Sequence, residues 1–440
     1  MALALPPSGL PRPRDDRPGD VRSSPPAQLD GLLADAIRQG GSDIHLEPDP
    51  EGNWSVRLRV DGLLRPLDGY LAAGAGPLVL SRLKVLAGLD IAIRRRPQDG
   101  GFTHEAEGRS LRIRVSTLPV EGGEKAVLRI LDPTSRPEGL DHLGFSPEDL
   151  GRVRGLIRGG RGVILTTGPT GSGKSSTLVA ALGEVDTRGL NVVTLEDPVE
   201  YRIPRVQQVQ LAPGSGLTFP VALRAVLRQD PDVIMVGEIR DRETAEIAMS
   251  AAITGHLVLS SLHTSDAVGA IPRLLHMGVP PHLVAGGLAG VVGQRLLRRR
   301  CPACGGTPIG CDRCVGGYRG RIGAFEVLVP GEALRDAILR GEGTPQLRAL
   351  ARRGGMRFMA EDARQKAAEG HTTLHEVSRV LHRDPGAAPP CPACGLDPPE
   401  GAISCPGCAA ALVRVCTPCS LPLAPTWQWC PRCRRRAPPG

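Results

Sequence analysis

Aromatic residues make up only 2% of this 440-residue chain. The cores must therefore be filled mainly by Leu, Val, Ala and Ile, and few rings are available to stack on bases, which argues against a single-strand nucleic-acid platform. No apolar run approaches the roughly 20 residues of a membrane-spanning helix. The opening Met-Ala-Leu-Ala-Leu-Pro-Pro is too short for the apolar part of a secretory signal, so the expected compartment is the cytosol. A leftover cysteine is also missing: all 12 fall into six C-x2-C pairs, and in a reducing compartment such pairs point to metal rather than to disulfides. Charge of one sign is lacking over most of the length, where 54 basic and 46 acidic residues are interspersed, the pattern of a solvated surface. The local exceptions are Arg298 to Arg300 and Arg432 to Arg436, each abutting cysteine pairs. What is present is a 41% apolar fraction, sufficient for ordinary cores in roughly two to four domains.

The most specific stretch is Gly168-Pro169-Thr170-Gly171-Ser172-Gly173-Lys174-Ser175-Ser176, preceded by the apolar run Gly162-Val-Ile-Leu-Thr-Thr and followed by Thr-Leu-Val-Ala-Ala-Leu. Strand, glycine loop and helix in that order form a nucleotide phosphate cradle. The glycines let successive backbone N–H groups converge on phosphate oxygens, Lys174 reaches the β and γ phosphates, and the Ser175 hydroxyl can ligate Mg²⁺. ATP and Mg²⁺ are the expected cofactors.

Residues 1–27, rich in Pro, Arg, Asp and Ser, read as a disordered leader. From 28 to 136 the pattern is mixed: helix-like Leu29 to Ile37 and Leu78 to Leu89, with period-2 alternation in Trp54 to Val60, Leu111 to Val115 and Ala126 to Leu131, which predicts a half-buried sheet. From 137 to 330, short Val/Ile/Leu runs at Gly162 to Thr167, Asn191 to Leu195, Val233 to Val236 and Leu257 to Leu262 alternate with helical segments, the signature of a buried, largely parallel sheet. Residues 331–381 read as a small helical bundle, 382–390 as a linker, and 391–440 as a separate cysteine-rich tail.

Thr194-Leu-Glu196-Asp-Pro-Val-Glu200-Tyr201, then Leu227-Arg228 through Val236-Gly-Glu238-Ile-Arg240-Asp241, then Thr254-Gly-His256 through Leu262-His263-Thr264, resemble in order the acidic box, Walker B segment and histidine box of the secretion-superfamily ATPases, motors of type II secretion and type IV pilus assembly. Gly41 to Pro48, Pro97 to Gly100, Arg114 to Pro119 and Gly370 to Val377 extend the resemblance over about residues 31 to 385. It implies an α/β fold: a RecA-like P-loop ATPase core preceded by a PAS-like α+β domain, with a small helical C-terminal subdomain. It implies that Glu238 orients or deprotonates water and that Glu196 and Glu200 serve Mg²⁺ or that water. It further implies that His256 and His263 sense the γ-phosphate, and that Arg114 and Arg129 reach the triphosphate from the amino-terminal domain. The implied assembly is a homo-hexamer acting on an inner-membrane platform protein, peripheral to the membrane, with nucleic acid not expected as a partner. Two other classes stay open on the residues, a nucleic-acid translocase and a non-hydrolysing nucleotide-dependent scaffold.

The cysteines form three quartets: Cys301, Cys304, Cys311, Cys314; Cys391, Cys394, Cys405, Cys408; and Cys416, Cys419, Cys430, Cys433. Paired knuckles place four thiolates at the corners of a tetrahedron, the closed geometry of structural Zn²⁺, so up to three ions are expected. The last two quartets share an x10 interval and repeat at 25 residues, like a double zinc ribbon. The first lies where assembly and secretion motors of the resembled family carry a tetracysteine element and retraction motors do not. The chain is expected to depart from the family in four respects: only six residues separate the first quartet's pairs, no large amino-terminal recruitment domain is read in the sequence given, the double ribbon is additional, and Gly101 stands where arginine is common.

Overall fold

The computed structural model describes residues 24–381, apart from 68, 72–73 and 133–138, and most of 391–436, apart from 392, 394–401, 407, 417, 420 and 424–427. The leader up to residue 23 and the linker 382–390 lie outside the described residues. The chain divides into two units. One holds the amino-terminal region to residue 135 with 200–202 and 300–320; the other holds 136–199, 203–299 and everything from 321 onward.

In the first unit, α1 (Pro25–Arg38) starts where Ser24 accepts a hydrogen bond from the Ala27 N–H and Pro25 occupies the first turn. It is followed by β1 (Gly41–Pro48), β2 (Trp54–Val60), β3 (Leu63–Pro66), α2 (Gly76–Leu86), β4 (Gln98–Ala106), β5 (Arg109–Val120) and β6 (Gly123–Leu131). The six strands form an antiparallel sheet ordered β3-β2-β1-β6-β5-β4. Alternate residues such as Leu111, Ile113 and Val115 are buried in one cluster with Leu29, Leu32, Leu33, Val79 and Leu83 of the helices. The strands missed in the sequence are β1, β3 and β4. In β1 only Ile44 and Leu46 alternate, β3 has four residues, and β4 opens with Gln-Asp-Gly-Gly, so none carries a long apolar alternation. Gly101 lies on β4 opposite Arg114.

In the second unit the elements are α3 (Pro147–Arg158), β7 (Gly162–Thr167), α4 (Lys174–Leu182), β8 (Val192–Glu196), β9 (Gln207–Gln210), α5 (Phe219–Val226), β10 (Val233–Val236), α6 (Arg242–Ile253), β11 (Leu257–Leu262), α7 (Ala270–His276), α8 (Pro281–Gly287), β12 (Leu288–Arg300) and β13 (Tyr318–Leu328). The sheet order is β13-β12-β7-β11-β10-β8-β9, and the pairs from β12 to β9 are parallel. Every residue of β7, β8, β10 and β11 is buried. Two apolar clusters fill the space between these strands and the surrounding helices, as a doubly covered parallel sheet requires. Four helices follow: α9 (Glu332–Leu339), α10 (Thr344–Arg353), α11 (Met359–Ala368) and α12 (Leu374–Leu381). In the tail, β14 (Arg414–Val415) pairs antiparallel with β15 (Pro422–Leu423).

The segment between β12 and β13, which holds the first cysteine quartet, groups with the amino-terminal unit rather than with the nucleotide-binding core. Within that unit the Gly320 N–H donates to the Asp61 carboxylate at 2.8 Å. Sequence order hides this, because the segment is an excursion between two strands of the other unit's sheet.

Candidate functional site

The loop after β7 carries the phosphate-cradle residues. Gly168, Gly171 and Gly173 have φ of 154°, 77° and 90°, values that L side chains rarely adopt, and Gly173 caps the amino end of α4. A Cβ at Gly168 would sit 2.5 Å from both the Gln294 carbonyl oxygen and Ser172 Oγ. The loop therefore needs glycine for space as well as for dihedrals. Lys174 Nζ donates to the carbonyls of Gly168 at 2.9 Å and Pro169 at 3.1 Å, folding back over the loop. Burial lowers its pKa; the nearby Glu238 carboxylate opposes that shift and the Arg295 guanidinium adds to it. Thr170, Gly171 and Ser175 are exposed, and Ser176 is half-buried.

Glu238 stands two residues beyond the end of β10, on the same sheet edge as the loop. Its turn is fixed by Ser261 Oγ donating to the Gly237 carbonyl at 2.8 Å and by the Ile239 N–H donating to the Ser261 carbonyl at 2.9 Å. Its carboxylate lies 2.5 Å from Arg240 Nη2 and 3.5 Å from His263 Nε2. The end of β11 is tied to the end of β7, since Thr167 Oγ1 donates to the Leu262 carbonyl at 3.0 Å and accepts from the Thr264 N–H at 3.0 Å. Lys174, Glu238 and His263 thus share one edge, at the carboxyl ends of parallel strands, where ligands bind in open α/β sheets.

Glu196 ends β8 at that edge and is buried; Thr194 Oγ1 donates to it at 2.6 Å and Gln208 Nε2 at 2.9 Å. Glu200 lies four residues beyond the end of this strand. The strand stops at Glu196 because Pro198 has no N–H to continue the ladder, and residues 200–202 group with the amino-terminal unit. His256 is likewise not brought to the phosphate loop. β11 runs parallel to β7, with Leu257 opposite Gly162 and Leu262 opposite Thr167. The residue before β11 therefore lies at the sheet's other edge, about 20 Å away along a six-residue strand. There His256 Nδ1 is 2.9 Å from the Ala251 carbonyl oxygen, and the ring lines a cleft of about 440 Å³ with Arg158, Asp186 and Asp232.

Arg114 and Arg129 are register partners on β5 and β6. Arg129 Nε donates to Asp43 Oδ1 at 2.9 Å, an ion pair within its own sheet. Arg114 is half-buried.

The sulfurs of Cys301, Cys304, Cys311 and Cys314 all lie within 4.8 Å of one another, as do those of Cys416, Cys419, Cys430 and Cys433, and those of Cys391, Cys405 and Cys408. Cys394 lies outside the described residues. Individual separations are 3.8 Å for Cys301 and Cys311, 3.7 Å for Cys304 and Cys314, and 3.5 Å for Cys419 and Cys430. A tetrahedron with Zn–S bonds of about 2.3 Å has edges of about 3.8 Å, so the donor sets fit such an ion. A disulfide would need about 2.05 Å.

Sequence reading missed several residues of the site. Buried Gln294 on β12 touches the loop from below. Arg295 donates to the Ser265 carbonyl at 2.8 Å. Glu326 is fully buried on β13, where its carboxylate accepts from the N–H groups of Ala267 at 2.6 Å and Met359 at 2.9 Å. None belongs to a motif read in the sequence, and an apolar strand with one polar residue gives no signal of which loop that residue meets.

A glycine loop between a parallel strand and a helix, with a lysine, a strand-end glutamate and a histidine on one edge, defines a P-loop nucleotide-hydrolysing core. The type II/IV secretion system protein family matches residues 24–379, and the chain belongs to it as an ATPase. It is 48% identical over 359 residues to type II secretion system protein HxcR of Pseudomonas aeruginosa, which covers 80% of this chain and 76% of that relative. It is 45% identical over 372 residues to the type IV pilus assembly ATPase PilB of Thermus thermophilus, covering 79% of this chain but only 42% of the relative. Among solved structures, the pilus retraction motor PilT with bound ADP aligns at 28% identity with a TM-score of 0.55, covering 80% of this chain and 96% of that one. The Legionella pneumophila ATPase DotB shares the fold at 24% identity, with a TM-score of 0.64 over 83% of this chain and 97% of that one. No helix among the described residues is long and apolar enough to cross a membrane.

Proposed function

We propose that this ATPase drives the assembly of pilin-like subunits through an inner-membrane platform protein, in a type II secretion or type IV pilus system, as a cytoplasmic homo-hexamer peripheral to that membrane. The observation that carries the proposal is the grouping of Lys174, Glu238 and His263 beside an intact phosphate loop, in a chain so similar to secretion and pilus-assembly proteins. Residues 168 to 173 supply backbone N–H groups to the phosphates, Lys174 the charge at β and γ, and Ser175, with Ser176 beside it, the hydroxyl for Mg²⁺. Bound Mg²⁺ would neutralise charge developing on the phosphates. Glu238 takes the proton of the attacking water or orients it, and His263, whose Nε2 lies 3.5 Å from that carboxylate, registers whether the γ-phosphate is present. Glu196 holds Mg²⁺ or its water from the next strand, with Glu200 in a supporting role. His256 is left outside this chemistry.

The antiparallel sheet of the amino-terminal unit is read as the PAS-like domain, delivering Arg114 and Arg129 to a triphosphate, so that hydrolysis depends on closure. The three cysteine quartets hold structural zinc; the first supports an assembly rather than a retraction motor, and the tail ribbons dock a partner. Domain limits are 28–136, 137–330, 331–381 and 391–440, with the first quartet's segment packing as part of the amino-terminal unit. The test is complementation: a host lacking this gene should lose surface assembly or secretion and regain it with the wild-type chain but not with Glu238→Gln. Normal assembly in the deletion strain would overturn the assignment.

A further inference from the structure

The peptide joining Ser172 to Gly173 is held from beneath. Gly293 pairs with Thr167 across β12 and β7, which sets Gln294 beside the first glycine of the loop. Gln294 is fully buried, and its Nε2 donates to the Ser172 carbonyl at 2.6 Å. A Cβ on Gly173 would approach that Nε2 to 3.0 Å, and one on Gly168 would approach the Gln294 carbonyl oxygen to 2.5 Å. The loop is therefore pressed against this one residue at both ends. The Gln294 Oε1 has no hydrogen-bond partner and neither has Ser172 Oγ. Burying an unsatisfied amide oxygen costs free energy that a Leu or Met at this position would avoid. A residue kept for core packing alone would not carry that cost.

The geometry points to Gln294 as a positioning residue that aims the Gly173 N–H into the phosphate cradle. Among the described residues the cis peptide is Asp197–Pro198, so the Ser172–Gly173 peptide is trans. In a planar trans peptide the C=O and the following N–H point in opposite directions. Fixing the Ser172 carbonyl on the buried Gln294 amide therefore turns the Gly173 N–H toward the open side of the loop, where α4 begins and where a phosphate would sit. Without the donor, the carbonyl is free to rotate toward the cradle and present a partial negative charge to the phosphates. This assignment rests on reading residues 168 to 176 as the triphosphate site.

The test uses the full chain with fluorescent ADP and ATP analogues and Mg²⁺. Gln294→Met keeps the length and removes the donor. It should retain the unfolding temperature of the unliganded wild type to within a few degrees and bind both nucleotides about tenfold more weakly, the worth of one charge-assisted hydrogen bond. Gln294→Glu provides a reading that packing cannot imitate. As a carboxylate it repels the Ser172 carbonyl, whereas protonated it donates as the amide does. Its affinity relative to wild type at the same pH should therefore recover as the pH is lowered from 8 to 6. Binding by Gln294→Met within twofold of wild type, or a Gln294→Glu ratio that does not change with pH, would overturn the assignment. If the methionine variant fails to fold, the glutamate series decides. A wild-type chain that binds neither nucleotide would instead refute the triphosphate reading itself.

Discussion

Replacing Glu238 by Gln separates chemistry from binding. The substitution conserves size and one acceptor, and it removes the base and the charge. Its cost to the fold is small, because the partner Arg240 is 63% exposed and such a pair contributes at most about 1 kcal/mol. The contact to His263 is 3.5 Å, with that ring half-exposed, and adds little. The cost to hydrolysis is larger. Losing a positioned general base removes roughly 10²- to 10⁴-fold in rate, or about 3 to 5 kcal/mol in the barrier. ATP binding should persist, since the loop and Lys174 are untouched, although Lys174 loses the carboxylate that offsets its burial. Lys174→Ala should do the converse and weaken nucleotide binding itself. If ATP then persists at subunit boundaries, Glu238→Gln should accumulate as a closed ring. Nucleotide affinity, single-turnover rate and oligomer mass measured on both variants check the scheme. A Glu238→Gln turnover within about fivefold of wild type would remove Glu238 from the catalytic step and refute the argument from its place on the sheet edge.

Two further outcomes are expected. Burial pushes the Glu326 pKa up to about 7, helped by Asp266 and opposed by the Ala267 and Met359 N–H groups. The native state therefore binds a proton more tightly than the unfolded chain, so this contribution to stability is present below about pH 4.5 and is lost as the pH rises through 7. Glu326→Gln should flatten the stability profile between pH 5 and 7 in chemical denaturation, and an unchanged slope would rule the group out. Elemental analysis of the reduced full chain should give about three Zn²⁺, falling to about two in Cys304→Ser/Cys311→Ser, with ATP turnover retained if the first quartet is structural; an unchanged zinc count in that variant would remove these cysteines from the ligand set.

Local patterns were legible wherever one residue type answers to one constraint. The run Gly162 to Thr167 reads as a buried strand because every position is apolar or small, and all six are buried. The glycines at 168, 171 and 173 mark a loop of unusual dihedrals, which their φ values bear out. The cysteine pairs declare their neighbours, because two C-x2-C knuckles have few ways to satisfy four thiolates, and the described sulfurs do cluster. Parallel pairing was legible, but which residue flanking each strand meets the loop was not. His256 and His263 flank one strand and look equivalent in the sequence, yet only His263 reaches the edge that holds the loop, because β11 lies parallel to β7. Glu200 sits four residues from Glu196 and yet leaves the strand at a proline.

The sequence alone determined the phosphate loop, the alternation of strand and helix around it and the three thiolate sets, since each depends on chemistry within a few residues. The tertiary structure alone decided which distant groups serve that loop. Gln294 lies more than a hundred residues from Ser172, and Glu326 meets Ala267 and Met359 from a third strand. These contacts arise from the order in which strands assemble into a sheet, an order set by the packing of whole faces rather than by any local pattern.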